Sequence, residues 1–346
     1  MMQKLRISSG AVAWGTMRAL SAGPGMGNAI SLRGSGFAGG AAGGTLGTFS
    51  HAAPDRCPGA LLLTPSAVTA NVRLMPTAPR PSSLPRPVTD PRTGRRTDGG
   101  PELDLLALLA RLQDSFAAEA AAADAEAPVP ACGLWRVRDL VAHLAGVHHW
   151  AAGMALGDAS RSEVLDTAGR GLADLYAEHA AELRAALRTA GPDGPARTLL
   201  GAGPASFWHR RQVHETLVHL HDLRAAALGS GLAVAAERPI DVGPEVWADT
   251  VDEVATMFQP RQVRLGRMEP LARTLGLSAP DVGRSWVLGA HEDGRDLAEA
   301  PAATVVAPAR ELALVLWRRL TPQEAGVEID GDASALGEVL AERIVP

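Results

Sequence analysis

The sequence predicts a mainly α protein: a four-helix bundle followed by a small α+β domain, preceded by a disordered N-terminal segment. Three observations predict it. The chain is 46% hydrophobic but only 4% aromatic, so alanine and leucine carry the apolar load and favour helix. Helical periodicity begins abruptly at Pro101 and recurs through four segments with short connections. Near residue 240 short β-branched runs begin to alternate with the helices.

Residues 1–100 come first. Stretches such as "SAGPGMGNAISLRGSGFAGGAAGG" and "MPTAPRPSSLPRPVTDPRTGRRTDGG" are dominated by glycine, proline and serine and sustain no period. Such a segment buries too little apolar surface to offset its ordering entropy, and we expect disorder. Its arginine-bearing, acid-poor start resembles a transit peptide but carries no clear amphipathic helix, so a non-folding extension or a misplaced start codon is the plainer origin.

Residues 101–238 read as the bundle. "PELDLLALLARLQDSFAAEAAAADAE" opens with acids, as a helix start prefers, and continues with leucines at helical spacing. "APVPACGLW" breaks the chain with prolines. "RVRDLVAHLAGVHHWAAGMALG" places Leu140, Leu144 and Val147 on one stripe. A third helix is expected from Ser160 to the Gly191-Pro192 stop, and a fourth from just after Pro204 to Gly229. Residues 239–346 read as the α+β domain. "GPEVWADTVDEVATMFQP" is a helix expected to stop at Pro260. "SWVLGA" and "ATVVAP" are strands, with hairpin chemistry at Asp293-Gly294 between them. "ARELALVLWRRL" is a helix, "GVEIDGD" a strand and turn, and "ASALGEVLAERI" a closing helix.

Charge and cysteine content narrow the function. The net charge is −5, with eleven basic against three acidic residues in the first hundred and twenty-two against thirty-five in the rest. An acidic body argues against nucleic acid as a partner. A single lysine, Lys4, stands beside thirty-two arginines, an imbalance of a GC-rich genome, so no arginine gains weight for being arginine. Two cysteines, Cys57 and Cys132, cannot make a disulfide framework, and a reducing cytoplasm is the default expectation. No apolar run approaches the ~18–20 residues of a membrane span.

The chemistry concentrates in "WHRRQVHETLVHLHDL", Trp208 to Leu223, which holds four of the ten histidines. Glu215 and His219 are four apart and share one helical face, a spacing that lets two side chains grip one ion. The competing reading is a solvated face. Trp208, Arg211, Glu215, His219 and Asp222 form one stripe, opposite Val213, Leu217 and Leu220, and Arg211 would pair with Glu215. His143 lies on the buried stripe of the second helix, where a lone histidine is ordinarily a satisfied core residue. A bundle, however, builds metal sites from inward side chains on facing helices. Two imidazoles and a carboxylate with an open fourth position are the catalytic arrangement for zinc.

"CGLWRVRDLVAHLAGVHHWAAG" followed by "FWHRRQVHETLVHLHDL" resembles the mycothiol-dependent maleylpyruvate isomerase family of actinobacteria, whose bundle is DinB-like. The later "WVLGA…ATVVAPARELALVLWRR…VEIDGD" is similar to that family's sterol-carrier-like C-terminal domain. The resemblance implies a divalent metal, zinc by preference, on His143, Glu215 and His219. It implies mycothiol as thiol cosubstrate and a small electrophile as its partner. The activity would be that of an isomerase or a thiol S-transferase. His214 points away from Glu215 on the helical wheel, His209 and His221 flank the site, and His148 and His149 lie too far round the second helix to join His143. Where the family often shows Cys-Pro-Gly-Trp, this chain lacks the proline and inserts Leu134 before Trp135, so Cys132 reads as structural. The alternative function is a non-catalytic, metal-stabilised module binding an apolar ligand or a protein partner. A fourth protein ligand closing the metal shell would favour it.

Overall fold

Four long helices build the bundle, each with a legible start or stop. The structure, a computed structural model, describes residues 90–92, 103–289 and 300–346. Helix α1 (Leu105–Ala122) begins at Asp104, whose carboxylate accepts the Ala107 N–H at 3.0 Å. Helix α2 (Val137–Ala155) begins where Asp139 accepts the Arg136 N–H at 2.9 Å. Helix α3 (Leu172–Ala190) ends at Gly191, and α4 (Ser206–Leu228) ends at Gly229 with φ 74°, the left-handed conformation glycine tolerates best. In the bundle α1 and α2 each pack against both α3 and α4.

The third helix starts later than the sequence suggests. Ser160 to Gly171 is irregular, because Asp158 accepts from Ser160 N–H at 2.9 Å and Asp166 from Ala168 N–H at 3.0 Å. Such local turns compete with helix. Between α3 and α4 lies an unforeseen hairpin, β1 (Pro195–Thr198) and β2 (Gly201–Pro204). A short α5 (Gly231–Glu237) follows α4, capped by Ser230.

Helix α6 (Pro244–Glu253) does not stop at Pro260. It passes through a π-helical turn, Val254–Phe258, into α7 (Gln259–Arg264). The Gln259 N–H reaches back to the Val254 carbonyl, and this wider turn absorbs the donor that Pro260 lacks. A four-stranded sheet follows in the order β4-β3-β5-β6. Strand β3 (Leu275–Ala279) pairs antiparallel with β4 (Arg284–Leu288) and parallel with β5 (Ala303–Val306), which pairs antiparallel with β6 (Glu328–Gly331). The expected neighbours β4 and β5 are therefore separated by β3, whose "LGLSA" holds no β-branched residue to announce it. Their expected hairpin turn at Asp293-Gly294 lies outside the described residues, as does the segment 1–100 apart from 90–92. Helices α8 (Ala309–Leu316) and α9 (Ser334–Ala341) pack on the sheet, and α8 also packs on α6.

The apolar residues of the bundle and of the sheet form one continuous core, from Leu109 and Leu140 to Leu275 and Leu336. Among the described residues no helix is long and apolar enough to cross a membrane.

Candidate metal centre

Helix α4 is the axis of the site because it is buried all round. The stripe Trp208, Arg211, Glu215, His219 and Asp222, which a solvated-face reading leaves wet, is covered by α6 and by the turn after α8. Burying this many charges is tolerable only if each is paired. Arg210 bonds Asp249 at 2.8 Å and Asp252 at 3.0 Å. Arg211 bonds Glu253 at 2.8 Å, pairs with Glu215, and lies over the rings of Phe258 and Trp317. His214 sits 3.0 Å from Asp249 and 3.1 Å from Glu253, facing away from the metal-capable group as the helical wheel predicts. Burial opposes protonation of His214, but Glu253 and Asp249 outweigh it and lift the imidazole above its usual range.

Within this paired shell three side chains converge. Helix α2 supplies His143; α4 supplies Glu215 and His219. Glu215 Oε1 lies 3.5 Å from His143 Nε2 and 3.3 Å from His219 Nε2. Both separations are long for a hydrogen bond. Three ligand atoms held about 2.0–2.1 Å from one tetrahedral ion are about 3.3 Å apart, so the spacing fits a shared zinc-sized cation. The two imidazoles meet edge to face with ring centroids 5.1 Å apart, and Trp135 stands 4.9 Å from His143.

Electrostatics prepare the donors. Burial, reinforced by His219, pushes the His143 pKa down to about 3, so this imidazole is neutral and offers a lone pair at neutral pH. Burial also opposes ionisation of Asp222, but Arg319 and the His219 hydrogen bond outweigh it and hold the carboxyl far below the usual range. Asp222 Oδ2 therefore accepts from His219 Nδ1 at 2.9 Å, which leaves His219 Nε2 bare in the neutral ring and aimed at Glu215. Arg319 grips Asp222 through two bonds of 2.9 and 2.7 Å. Arg211 engages Glu215 Oε2 and so turns Oε1 toward the histidines. These arginine and aspartate contacts orient the donors, as polar groups behind metal ligands commonly do.

The remaining sequence candidates fall elsewhere. His148 Nδ1 bonds Gln212 at 2.8 Å, and His209 and His221 are buried outside the group. Cys132 is fully buried with Sγ 3.6 Å from Asp222 Oδ2, so it packs behind the site. Cys57 lies outside the described residues. Among the described residues no fourth His, Cys, Asp or Glu joins the three. Sequence reasoning placed Asp222 on the stripe without its role behind His219, and missed Arg319 altogether. The first was readable as a carboxylate three residues beyond His219 on its own face. The second, ninety-seven residues further on, gave no local signal. It also missed a second convergence, His149, His179 and Glu182, between α2 and α3.

Residues 105–224 match the family model described as the mycothiol maleylpyruvate isomerase N-terminal domain, and residues 245–338 match that of the MDMPI C-terminal domain. Two solved structures are similar, one titled the mycothiol-dependent maleylpyruvate isomerase and the other a histidine-to-alanine mutant of it. They are 14% and 12% identical with TM-scores of 0.43 and 0.44, and each alignment covers 61% of this chain and 86% of that one. No curated protein sequence matches. The two domain matches occur in order, cover together more than half of the chain, and coincide with the bundle and the sheet-bearing part. The chain belongs to the mycothiol-dependent maleylpyruvate isomerase family.

Proposed function

We propose that the protein is a metal- and mycothiol-dependent enzyme, an isomerase or thiol S-transferase of the maleylpyruvate-isomerase type, acting on a small electrophile. The observation that carries this reading is the pair of separations around Glu215 Oε1, 3.5 and 3.3 Å, wide for hydrogen bonds and right for ligands of one ion. A divalent ion held there, zinc by donor type, would keep an added thiol as its thiolate at neutral pH. The reading extends to an actinobacterial, cytoplasmic protein, the setting in which mycothiol serves as the thiol.

The chain's own residues divide the work. His143, Glu215 and His219 supply three donors and leave a fourth direction to the thiol. Arg211 and Asp222 fix the carboxylate and imidazole in their ligating orientations, so little reorganisation remains when the thiol arrives. Trp135 packs against His143 and shields that ligand. On the substrate, the thiolate sulfur forms a bond to one carbon of an activated cis double bond while the π pair moves to the neighbouring carbonyl. Rotation about the resulting single bond and expulsion of the thiolate give the trans isomer, with no net consumption of thiol. Where the adduct persists and is protonated, the same addition is an S-transfer.

The test is turnover of maleylpyruvate, and consumption of mycothiol with other electrophiles, before and after chelation. Activity that needs mycothiol, disappears with chelator and returns with zinc supports the reading. Metal-bound protein without thiol-dependent turnover of any electrophile would favour the binding module instead.

A further inference from the structure

We propose that a second divalent-cation site lies on the other side of α2, built from His149, His179 and Glu182. Helix α2 supplies His149, and α3 supplies His179 and Glu182 one turn apart. The two Nδ1 atoms each lie 2.8 Å from the same oxygen, Glu182 Oε2, and the imidazole rings meet at 64° with centroids 4.9 Å apart. The other carboxylate oxygen, Oε1, is taken by Arg161, so Glu182 cannot rotate away and presents a single oxygen to the pair. Three donor atoms of two imidazoles and one carboxylate thus lie within 4.8 Å of one another.

This group is separate from the α2–α4 site. His149 follows His143 by six residues, which places it about 120° away round α2, and its partners come from α3 rather than α4. Without a cation the group is held by the Nδ1 protons of both histidines. A cation entering takes the two Nδ1 lone pairs after each neutral ring moves its proton to Nε2, and the 2.8 Å contacts open toward the roughly 3.3 Å edge of a tetrahedral site. The side chains of His149 and Glu182 are 26% and 30% exposed, so water reaches the remaining positions. Imidazole donors select zinc, cobalt, nickel or copper over magnesium and calcium. Each site has one carboxylate paired with an arginine, but Glu182 is more exposed than Glu215, so this site binds more weakly than the α2–α4 site and loses its ion first to a chelator. Its effect is to tie α2 to α3.

The experiment uses the full-length protein, stripped with chelator and titrated with cobalt(II) or zinc(II) by calorimetry and metal analysis. We expect two equivalents for the native protein and one for each of His219→Ala and His179→Ala. In His219→Ala the melting temperature should still rise as the remaining equivalent binds, and in the double variant no specific equivalent should remain. Glu182→Gln and His149→Ala, both partly exposed, carry the same test if His179→Ala fails to fold. Loss of one equivalent in a folded variant of this group supports the site. An unchanged stoichiometry in folded variants of all three residues overturns it. The outcome is independent of the α2–α4 reading: if that one fails, the native protein binds one equivalent, retained in His219→Ala and lost in His179→Ala.

Discussion

Asp222 acts on the metal-capable group through His219. Its ionised carboxylate fixes the Nδ1–H tautomer at 2.9 Å and thereby aims the Nε2 lone pair at Glu215, while Arg319 holds the carboxylate in place. Asp222→Asn keeps the size but loses the charge. Its affinity for zinc should fall about 10–100-fold in a chelator competition, with helix content retained in circular dichroism. Equal affinity in the two proteins would show that His219 needs no such orientation. Glu163 offers a pH test away from the site. Burial pushes its pKa up from 4.5 to about 7. Below pH 4.5 both folded and unfolded chains hold the proton and nothing is lost. Between pH 4.5 and 7 the unfolded chain releases it first, so this residue lowers stability as pH rises, and above pH 7 the whole penalty applies. Glu163→Gln should therefore raise the melting temperature by several degrees at about pH 8 and leave it nearly unchanged at about pH 4.

Helices α2 and α4 show what the sequence makes legible and what it hides. The bundle is readable because leucine periodicity marks the helices, while the i,i+4 pair marks only a shared face and the family resemblance is what singles out His143, Glu215 and His219. The environment of α4 was not. A stripe of Arg211, Glu215, His219 and Asp222 looks solvated until α6 and the α8 turn bring Glu253 and Arg319 onto it from far along the chain. Pro260 misled for a related reason: the π turn that accommodates it is selected by packing, and no residue pattern announces it. Strand β3 lacks the β-branched signature, since its central, buried position tolerates leucine, glycine and alanine. On α2, Gly146 marks a close crossing, for a Cβ there would lie 1.8 Å from the Glu163 carbonyl oxygen. Gly146→Ala, which gains about 1 kcal/mol in an open helix, should here destabilise by about 1–3 kcal/mol in chemical denaturation. A neutral or stabilising result would mean that the 157–171 segment moves freely off α2.

At the scale of the whole molecule, charge and composition divide the chain near residue 100, with the excess of acid confined to residues 101–346. Deleting residues 1–100 should leave the thermal midpoint within error, and a drop of several degrees would show that the segment packs on the body. Beyond that point the bundle and the sheet-bearing part share one core. The metal-capable group depends on both, since Arg319 and Glu253 lie outside the bundle yet fix Asp222 and, through Arg211, Glu215. The central claim is that His143, Glu215 and His219 hold an ion with a position left for a thiol. Cobalt(II) in place of zinc makes that visible, because none of the three residues supplies sulfur. Adding mycothiol to cobalt-loaded Cys132→Ser protein, which lacks the nearby buried thiol, should produce a sulfur-to-metal charge-transfer band that saturates at one thiol per site. With His179→Ala added to remove the α2–α3 group, the band should persist, and it should be lost when His219→Ala is introduced as well. Cobalt bound at that site with no band at saturating thiol would contradict the account.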